Sequence, residues 1–207
     1  MPQRLDAELS LAGITQLRKR DPTLAAVIDK VGPFRLKCET NRYQSLLRAI
    51  IGQQISSSAA RSIWGRIQDA VPSHRMTPEA IGAMSDEELR ACGVSPQKLG
   101  YVRSLTEHVL DKSLPLHRLH RDSDDDVVEQ LIQVKGIGVW TAQMFLMFSL
   151  GRPDVLPHGD LGIQSAIRNL YGLPELPKRM ECEQIAEPWR PYATIACWYL
   201  WRSTETG

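Results

Sequence analysis

One carboxylate stands out because of its position in the chain. Asp160 ends a loop rich in glycine and proline, residues 151–160, and directly precedes a segment, 161–171, that is predicted to be helical. A carboxylate fixed at such a point can stabilise a developing positive charge and can orient or deprotonate a water. The same position suits a helix N-cap, since an Asp side chain accepts a hydrogen bond from the first turn. Both roles stay open at this point.

A second chemical feature is the pair of glycines in the sequence KGIG. Gly136 and Gly138 join two predicted helices, one that runs through Val127 to Ile132 and one over 139–150, and both can adopt backbone angles closed to other residues. The start of the second helix offers unpaired amides and the positive end of a dipole, and the missing side chains let a phosphate come close. An ordinary helix-turn-helix corner has the same pattern.

The rest of the chain has to position these groups. Its capping residues and the spacing of its apolar residues are typical of helices throughout. Capping residues predict helix starts near 78, 86 and 96, and apolar spacing predicts helices over 43–51 and 59–71, with Gly52 between them. No segment alternates apolar and polar residues over the length of a strand, and no repeat is visible. The predicted fold class is therefore all-α.

Two further segments could be mistaken for functional sites. Ser123 to Asp126 is the most acidic stretch, and a capping box explains it better than a metal or protein-binding patch does. The segment 139–150 is apolar almost all round, which predicts a buried helix that is too short to cross a bilayer.

Composition narrows the class of protein. The chain has 207 residues, with 43% hydrophobic and 24% charged, which excludes disordered and disulfide-stapled classes. Net charge is +5 over residues 1–70, −4 over 71–130 and zero over 131–207, so any binding to nucleic acid depends on local contacts. No export signal or membrane span is evident, and the four scattered cysteines are expected to be reduced thiols.

Six segments carry a resemblance to a known family: LIQVKGIGVWTA (131–142), LPHGDLGI (156–163), RAIIGQQIS (48–56), GVSPQK (93–98), PWRPY (188–192) and WYLWR (198–202). With these segments the sequence resembles the helix-hairpin-helix (HhH-GPD) DNA glycosylase superfamily, and within it the AlkA-type 3-methyladenine DNA glycosylase II family. The resemblance covers residues 34–202. Lys135 replaces the usual hairpin proline, and the chain is similar to the compact form that lacks an extra N-terminal domain.

The resemblance implies two helical lobes with an active cleft between them. Residues 34–150 would form one lobe, with the helix-hairpin-helix at 126–150, and residues 1–33 plus 151–207 would form the other. Asp160 would be the catalytic carboxylate. One carboxylate is enough when the leaving base is an alkylated, cationic purine, because that base departs as a neutral molecule. Asp154 is interpreted as structural.

The residue after the hairpin decides between two chemistries. Bifunctional relatives carry a lysine nucleophile where this chain has Trp140, and an indole cannot form an imine. Lys135 does not align with that lysine. The resemblance therefore implies a monofunctional enzyme without lyase activity, with no cofactor needed for catalysis and no iron–sulfur cluster.

The family's binding residues map onto four groups of positions. Trp140, Met144 and Trp198 would line the pocket for an extruded base, although without the resemblance both tryptophans suit a helical core. Gln53 or Gln54, with Gln54 preferred, would fill the gap in the duplex, and a polar helix end is the alternative. Phosphate would bind the amides of Gly136, Gly138 and Thr141 beside Lys135. A structural Na⁺ or K⁺ would bind the carbonyls of Ile132, Val134 and Ile137.

The predicted function is release of alkylated purines such as 3-methyladenine and 7-methylguanine from double-stranded DNA, the first step of base excision repair. The alternatives are a glycosylase for another lesion class, a non-catalytic DNA-binding module, and a helical scaffold unrelated to DNA. We expect a monomer with no membrane association. It would act in the cytoplasm, at the nucleoid, of a bacterium or in the nucleus of a eukaryote.

Overall fold

The computed structural model describes residues 2–205, and its regular elements there are all helical, as predicted. The α-helices are α1 (Ala7–Arg20), α2 (Pro22–Val31), α3 (Arg42–Gly52), α4 (Ser57–Ala70), α5 (Pro78–Ala83), α6 (Asp86–Ala91), α7 (Pro96–Leu110), α8 (Asp124–Ile132), α9 (Val139–Phe145), α10 (Leu161–Tyr171), α11 (Arg179–Ala186) and α12 (Ala193–Glu205). Short 3₁₀ turns cover Pro72–His74, Leu119–Arg121 and Glu187–Trp189, and a π-helical turn covers Leu146–Leu150.

The helix starts read from capping residues are confirmed. Thr77, Ser85 and Ser95 are the N-caps of α5, α6 and α7, each accepting a hydrogen bond from the backbone three residues on. Ser85 and Glu88 form the predicted capping box, with the Glu88 carboxylate 2.6 Å from the Ser85 amide. Gly52 is not between helices, because α3 includes it and the turn begins at Gln53.

The first compact unit, residues 39–145, contains α3 to α9. One face of α3 is buried through Leu46, Leu47, Ile50 and Ile51, which follow the 3.6-residue period of a helix. This helix packs against α4, α7 and α9, and α8 packs against α9. The segment that follows α3 is thereby held near the turn between α8 and α9.

The second compact unit is built from both ends of the chain, residues 2–38 and 146–205. Its central helix is α12, which packs against α1, α2 and α10. Eight consecutive residues of α12, 193–200, are at most 8% exposed. None of the helices described is long and apolar enough to cross a membrane.

Two local predictions were wrong in part. The segment 139–150 is not one buried α-helix: α9 ends at Phe145, a π-helical turn follows, and the side chains of Val139 and Trp140 are about half exposed. Ser123 does cap α8, but the carboxylate of Asp126 accepts a hydrogen bond from the Ser123 hydroxyl at 2.6 Å instead of completing a capping box.

Candidate active site and nucleic-acid interface

Asp160 is the N-cap of α10 and is held by two hydrogen bonds to one carboxylate oxygen. Its Oδ1 accepts from the amide of Ile163 and from Nε1 of Trp201, both at 2.9 Å. The side chain is half-buried. The capping role is therefore present, and these two bonds fix the carboxylate in one orientation.

Trp201 is a partner that the sequence analysis did not single out. It lies on α12, and its ring packs against Phe148 with centroids 5.9 Å apart. Gly162 makes room for the pair, since a Cβ there would lie 3.0 Å from Asp160 Oδ1 and 3.1 Å from the Trp201 ring. Forty-one residues separate Trp201 from Asp160, so only the aromatic character of the segment around 198–202 hinted at this contact.

The loop that ends at Asp160 is fixed to the start of α12. The Asp154 carboxylate accepts from the amide of Ala193 at 3.1 Å and pairs with Arg190 at 3.0 Å. The Thr194 hydroxyl donates to the carbonyl of Arg152 and accepts from the amide of Val155. These contacts give Asp154 a structural role, and they leave Asp160 on a constrained loop.

The hairpin between α8 and α9 requires glycine at one position only. Gly136 has φ +84°, and a Cβ there would lie 2.3 Å from the ring of Tyr101. Gly138 does not have a positive φ, so only one of the two hairpin glycines uses the backbone freedom that both could offer. Its Cβ would have no atom within 4 Å, so the chain itself does not need glycine there and the space in front of it is open.

Side-chain hydrogen bonds join the hairpin to α3 and α7. Nε2 of Gln53 donates to the carbonyl of Gly136 at 2.8 Å, and the amide of Lys135 donates to Ser104 at 3.1 Å. Lys98 Nζ donates to the carbonyl of Ile51 at 2.8 Å, and burial lowers the pKa of this amine. Gln53 is therefore engaged with the hairpin rather than free to enter a duplex.

Gln54 has the opposite surroundings to its neighbour. Its side chain is exposed, and its φ of +56° places it in the left-handed region, which non-glycine residues seldom adopt. A strained residue at a turn tip is common at binding sites. Of the two glutamines named from the sequence, Gln54 is the one whose side chain points to solvent.

A cavity of about 500 Å³ lies in the first unit between α3 and α9. It is lined by Arg48, Ala49, Gly52, Gln53, Gln54, Trp140, Thr141 and Met144. Trp140 is 47% exposed and is not a core residue, whereas Met144 is half-buried and Thr141 is buried. The structure thus brings together two of the three residues expected to line a base pocket.

Trp198, the third of these residues, belongs to the second unit and is only 8% exposed. Its ring meets Phe34 and Tyr199 edge to face, each at 5.0 Å, and the Arg202 guanidinium lies 5.4 Å from its centroid. Its surroundings are those of a core aromatic residue. A role of Trp198 in base binding stays a prediction.

The hairpin carbonyls offer oxygen ligands for a hard cation. Val134 and Ile137 are buried, and the carbonyl of Val134 accepts the amide of Ile137 at 3.1 Å, which uses one of its two lone pairs. Ile132, the last residue of α8, is 40% exposed. Within residues 2–205, no three His, Cys, Asp or Glu side chains group as metal ligands.

Comparison with known proteins adds family evidence to this geometry. A profile of the HhH-GPD superfamily of base excision DNA repair proteins matches residues 47–191. The chain is 36% identical over 201 residues to DNA-3-methyladenine glycosylase 1 of Schizosaccharomyces pombe, covering 96% of this chain and 87% of that protein.

Solved structures agree with this match. A DNA-3-methyladenine glycosidase of Bacillus halodurans superimposes with a TM-score of 0.85 at 39% identity, over 94% of this chain and 89% of the other. The S. pombe 3-methyladenine DNA glycosylase in complex with abasic DNA gives a TM-score of 0.84 at 34% identity, over 94% of this chain and 97% of the other.

Proposed function

Because the chain belongs to the HhH-GPD superfamily of base excision DNA repair proteins, we propose that it is a monofunctional DNA N-glycosylase for alkylated purines. It extrudes cationic bases such as 3-methyladenine and 7-methylguanine from double-stranded DNA and hydrolyses the N-glycosidic bond. The observation that carries the proposal is the fixed carboxylate of Asp160 at the start of α10.

Asp160 supplies the charge that this reaction needs. Breaking the bond builds positive charge on the sugar, and a preorganised carboxylate stabilises that charge without reorganising during the reaction. The donors from Ile163 and Trp201 hold the carboxylate in place. The same group can orient or deprotonate the attacking water, and the alkylated base leaves without a second, protonated acid.

The cavity of the first unit suits the extruded base. Extrusion costs a few kcal/mol of stacking, and stacking on the exposed indole of Trp140 offsets part of this cost. The electron-rich face of an indole also attracts a cationic base. Met144 lies on the same helix, one turn on, and shapes the cavity. Gln54, exposed at a turn tip, fills the gap in the duplex, and Gln53 holds the hairpin.

The hairpin binds the DNA backbone. Open space in front of Gly138 lets a phosphate reach the amides at 136, 138 and 141, and the exposed Lys135 adds a positive charge beside them. Oxygen ligands suit a hard cation, and the carbonyls of Ile132, Val134 and Ile137 would hold a structural Na⁺ or K⁺ whose positive charge would favour a phosphate at the hairpin.

The reaction stops at the abasic site. Trp140 occupies the position of the nucleophilic lysine, and an indole cannot form the Schiff base that strand cleavage requires. The enzyme acts as a monomer on chromosomal DNA, at the nucleoid of a bacterium or in the nucleus of a eukaryote. It needs no cofactor for catalysis.

The test is base release from methylated duplex DNA by the wild type and by Asp160→Asn. An Asn side chain keeps an oxygen for Ile163 and Trp201, so the variant should retain its melting temperature and its affinity for DNA. Its release rate should fall by about 100-fold or more, and strands should break only after alkali. Equal release rates in both proteins would refute the role of Asp160. Binding without release by the wild type would favour a non-catalytic DNA-binding module.

A further inference from the structure

Arg48 is a charged residue of the cavity to which the proposed function gives no task. It lies on α3, about one turn before the Gln53–Gln54 turn, and its side chain is exposed. Its guanidinium carbon lies 3.9 Å from the centroid of the Trp64 ring, and Trp64 is buried. Within residues 2–205 the guanidinium has no carboxylate or carbonyl partner, so this stacking contact is what orients it.

Stacking leaves the donors of Arg48 available. A guanidinium on the face of an indole keeps its N–H groups in the plane of the stack, where they match the two oxygens of a phosphate. A buried tryptophan holds the group in place before the ligand arrives, which lowers the entropy lost on binding. An arginine that only contributes charge to a solvated surface does not need a buried tryptophan to hold it in place.

The charge of Arg48 conflicts with a cationic base unless an anion neutralises it. Arg48 and Trp140 line the same cavity, and like charges there repel across a partly desolvated space. The anion that accompanies an extruded nucleotide is its own flanking phosphate. Neutralisation by this phosphate would remove the conflict and place the nucleotide relative to Trp140.

We propose that Arg48, supported by Trp64, is a positioning residue that binds a DNA phosphate next to the extruded nucleotide. This inference rests on the proposed function, because it takes the cavity as the place of the base. The ligand is a phosphate of the DNA strand, and its recognition depends on charge and geometry rather than on base sequence.

The experiment measures binding to a duplex that contains an abasic-site analogue, as a function of salt concentration. Removing one phosphate contact should reduce the slope of log K against log salt by about 0.9. We expect this reduction for Arg48→Gln. Arg48→Lys should keep the slope, since the charge remains, while binding several-fold more weakly because the two-pronged contact is lost. Arg118→Gln removes an exposed arginine elsewhere in the same unit and should leave the slope unchanged.

Two results would overturn the inference. One is a wild-type slope in Arg48→Gln at an unchanged melting temperature. The other is faster release of 7-methylguanine relative to neutral hypoxanthine in that variant, which would show that Arg48 faces the base rather than a phosphate. The slope is measured without catalysis, so it tests the role of Arg48 separately from base release. Failure of the wild type to release a base would count against the proposed function alone.

Discussion

At the scale of single residues, the candidate site combines two roles that the sequence could not separate. Asp160 caps α10 and also presents a carboxylate held by the side chain of Trp201. A cap is determined by its local sequence, whereas the second hydrogen bond depends on a residue of α12 that lies 41 positions further along the chain. The position of the carboxylate is therefore set by α12 as well as by its own loop.

Trp201→Phe tests this positioning contact. Phenylalanine keeps the aromatic packing against Phe148 but cannot donate to Asp160. A hydrogen bond to a charged group contributes about 1.5–3 kcal/mol, so the single-turnover rate of base release should fall by about 10-fold or more, with the Kd for DNA within about twofold. Adding Trp201→Phe to Asp160→Asn should have no further effect on that rate. An undiminished rate in the single variant would show that Trp201 only packs.

Tyr43 gives a prediction about alkaline pH. Burial raises the pKa of this phenol to about 12, while its hydroxyl contacts Thr106 at 2.8 Å. A folded-state pKa above the unfolded value of about 10 means that the folded protein holds the proton more tightly, so stability is lost as pH rises from about 10 to 12.

The measurement compares wild type with Tyr43→Phe by urea unfolding at several pH values. The stability difference between them should change by about 2–3 kcal/mol in favour of the variant across this pH window. Tyr171 and Tyr199 also have pKa values raised by burial, and their contribution cancels in the difference. Parallel stability curves for the two proteins would contradict the assignment to Tyr43.

At the scale of elements, the hairpin shows two glycines with different functions. Gly136 is required by the fold, because its φ is positive and the ring of Tyr101 lies against it. Gly138 is not required by the fold, because its φ is not positive and no atom lies within 4 Å of a Cβ built there. The sequence pattern GIG could not distinguish the two glycines, because they differ only in their backbone φ angles and in the atoms that surround them.

Gly136→Ala and Gly138→Ala form a matched pair. Gly136→Ala should lower the free energy of unfolding by about 2 kcal/mol or more, because a left-handed residue and a displaced ring both carry a cost. Gly138→Ala should change stability by less than about 0.5 kcal/mol and still weaken DNA binding. Equal stability losses in the two variants, measured by urea unfolding, would contradict the conclusion that the fold requires glycine only at position 136. Unimpaired DNA binding by Gly138→Ala would refute the proposed phosphate site at the hairpin.

At the scale of the whole molecule, residues distant in sequence are tied together by buried polar groups. Asp21 is 6% exposed and caps α2, and its Oδ2 accepts from the hydroxyl of Tyr171 and from Nε1 of Trp189 at 2.7 Å. Burial and the Asp21 carboxylate raise the pKa of Tyr171. One carboxylate thus joins the N-terminal segment of the second unit, residues 2–38, to its C-terminal segment, residues 146–205.

Asp21→Ala should therefore be among the more damaging substitutions in the second unit. It removes a cap and leaves the buried indole N–H of Trp189 and the half-buried hydroxyl of Tyr171 without their acceptor, for a loss of about 3–5 kcal/mol. Asp21→Asn should lose less, because the amide oxygen can still cap α2. Urea unfolding measures the stability lost in each variant. An Asn variant as unstable as the Ala variant would contradict this role of the Asp21 oxygen.

Local sequence is sufficient to predict the helical class, most helix starts, the glycine turn and the aspartate after the loop. Capping and apolar periodicity act over a few residues, so these features can be read locally. The family motifs are equally local.

Which side chains meet depends on the packing of the whole fold. It exposed Trp140 and buried Trp198, turned Gln53 to the hairpin and Gln54 to solvent, and placed Trp201 on Asp160. It also interrupted the segment 139–150 with a π-helical turn. These outcomes depend on packing between elements far apart in sequence, and neither residue type nor spacing contains that information.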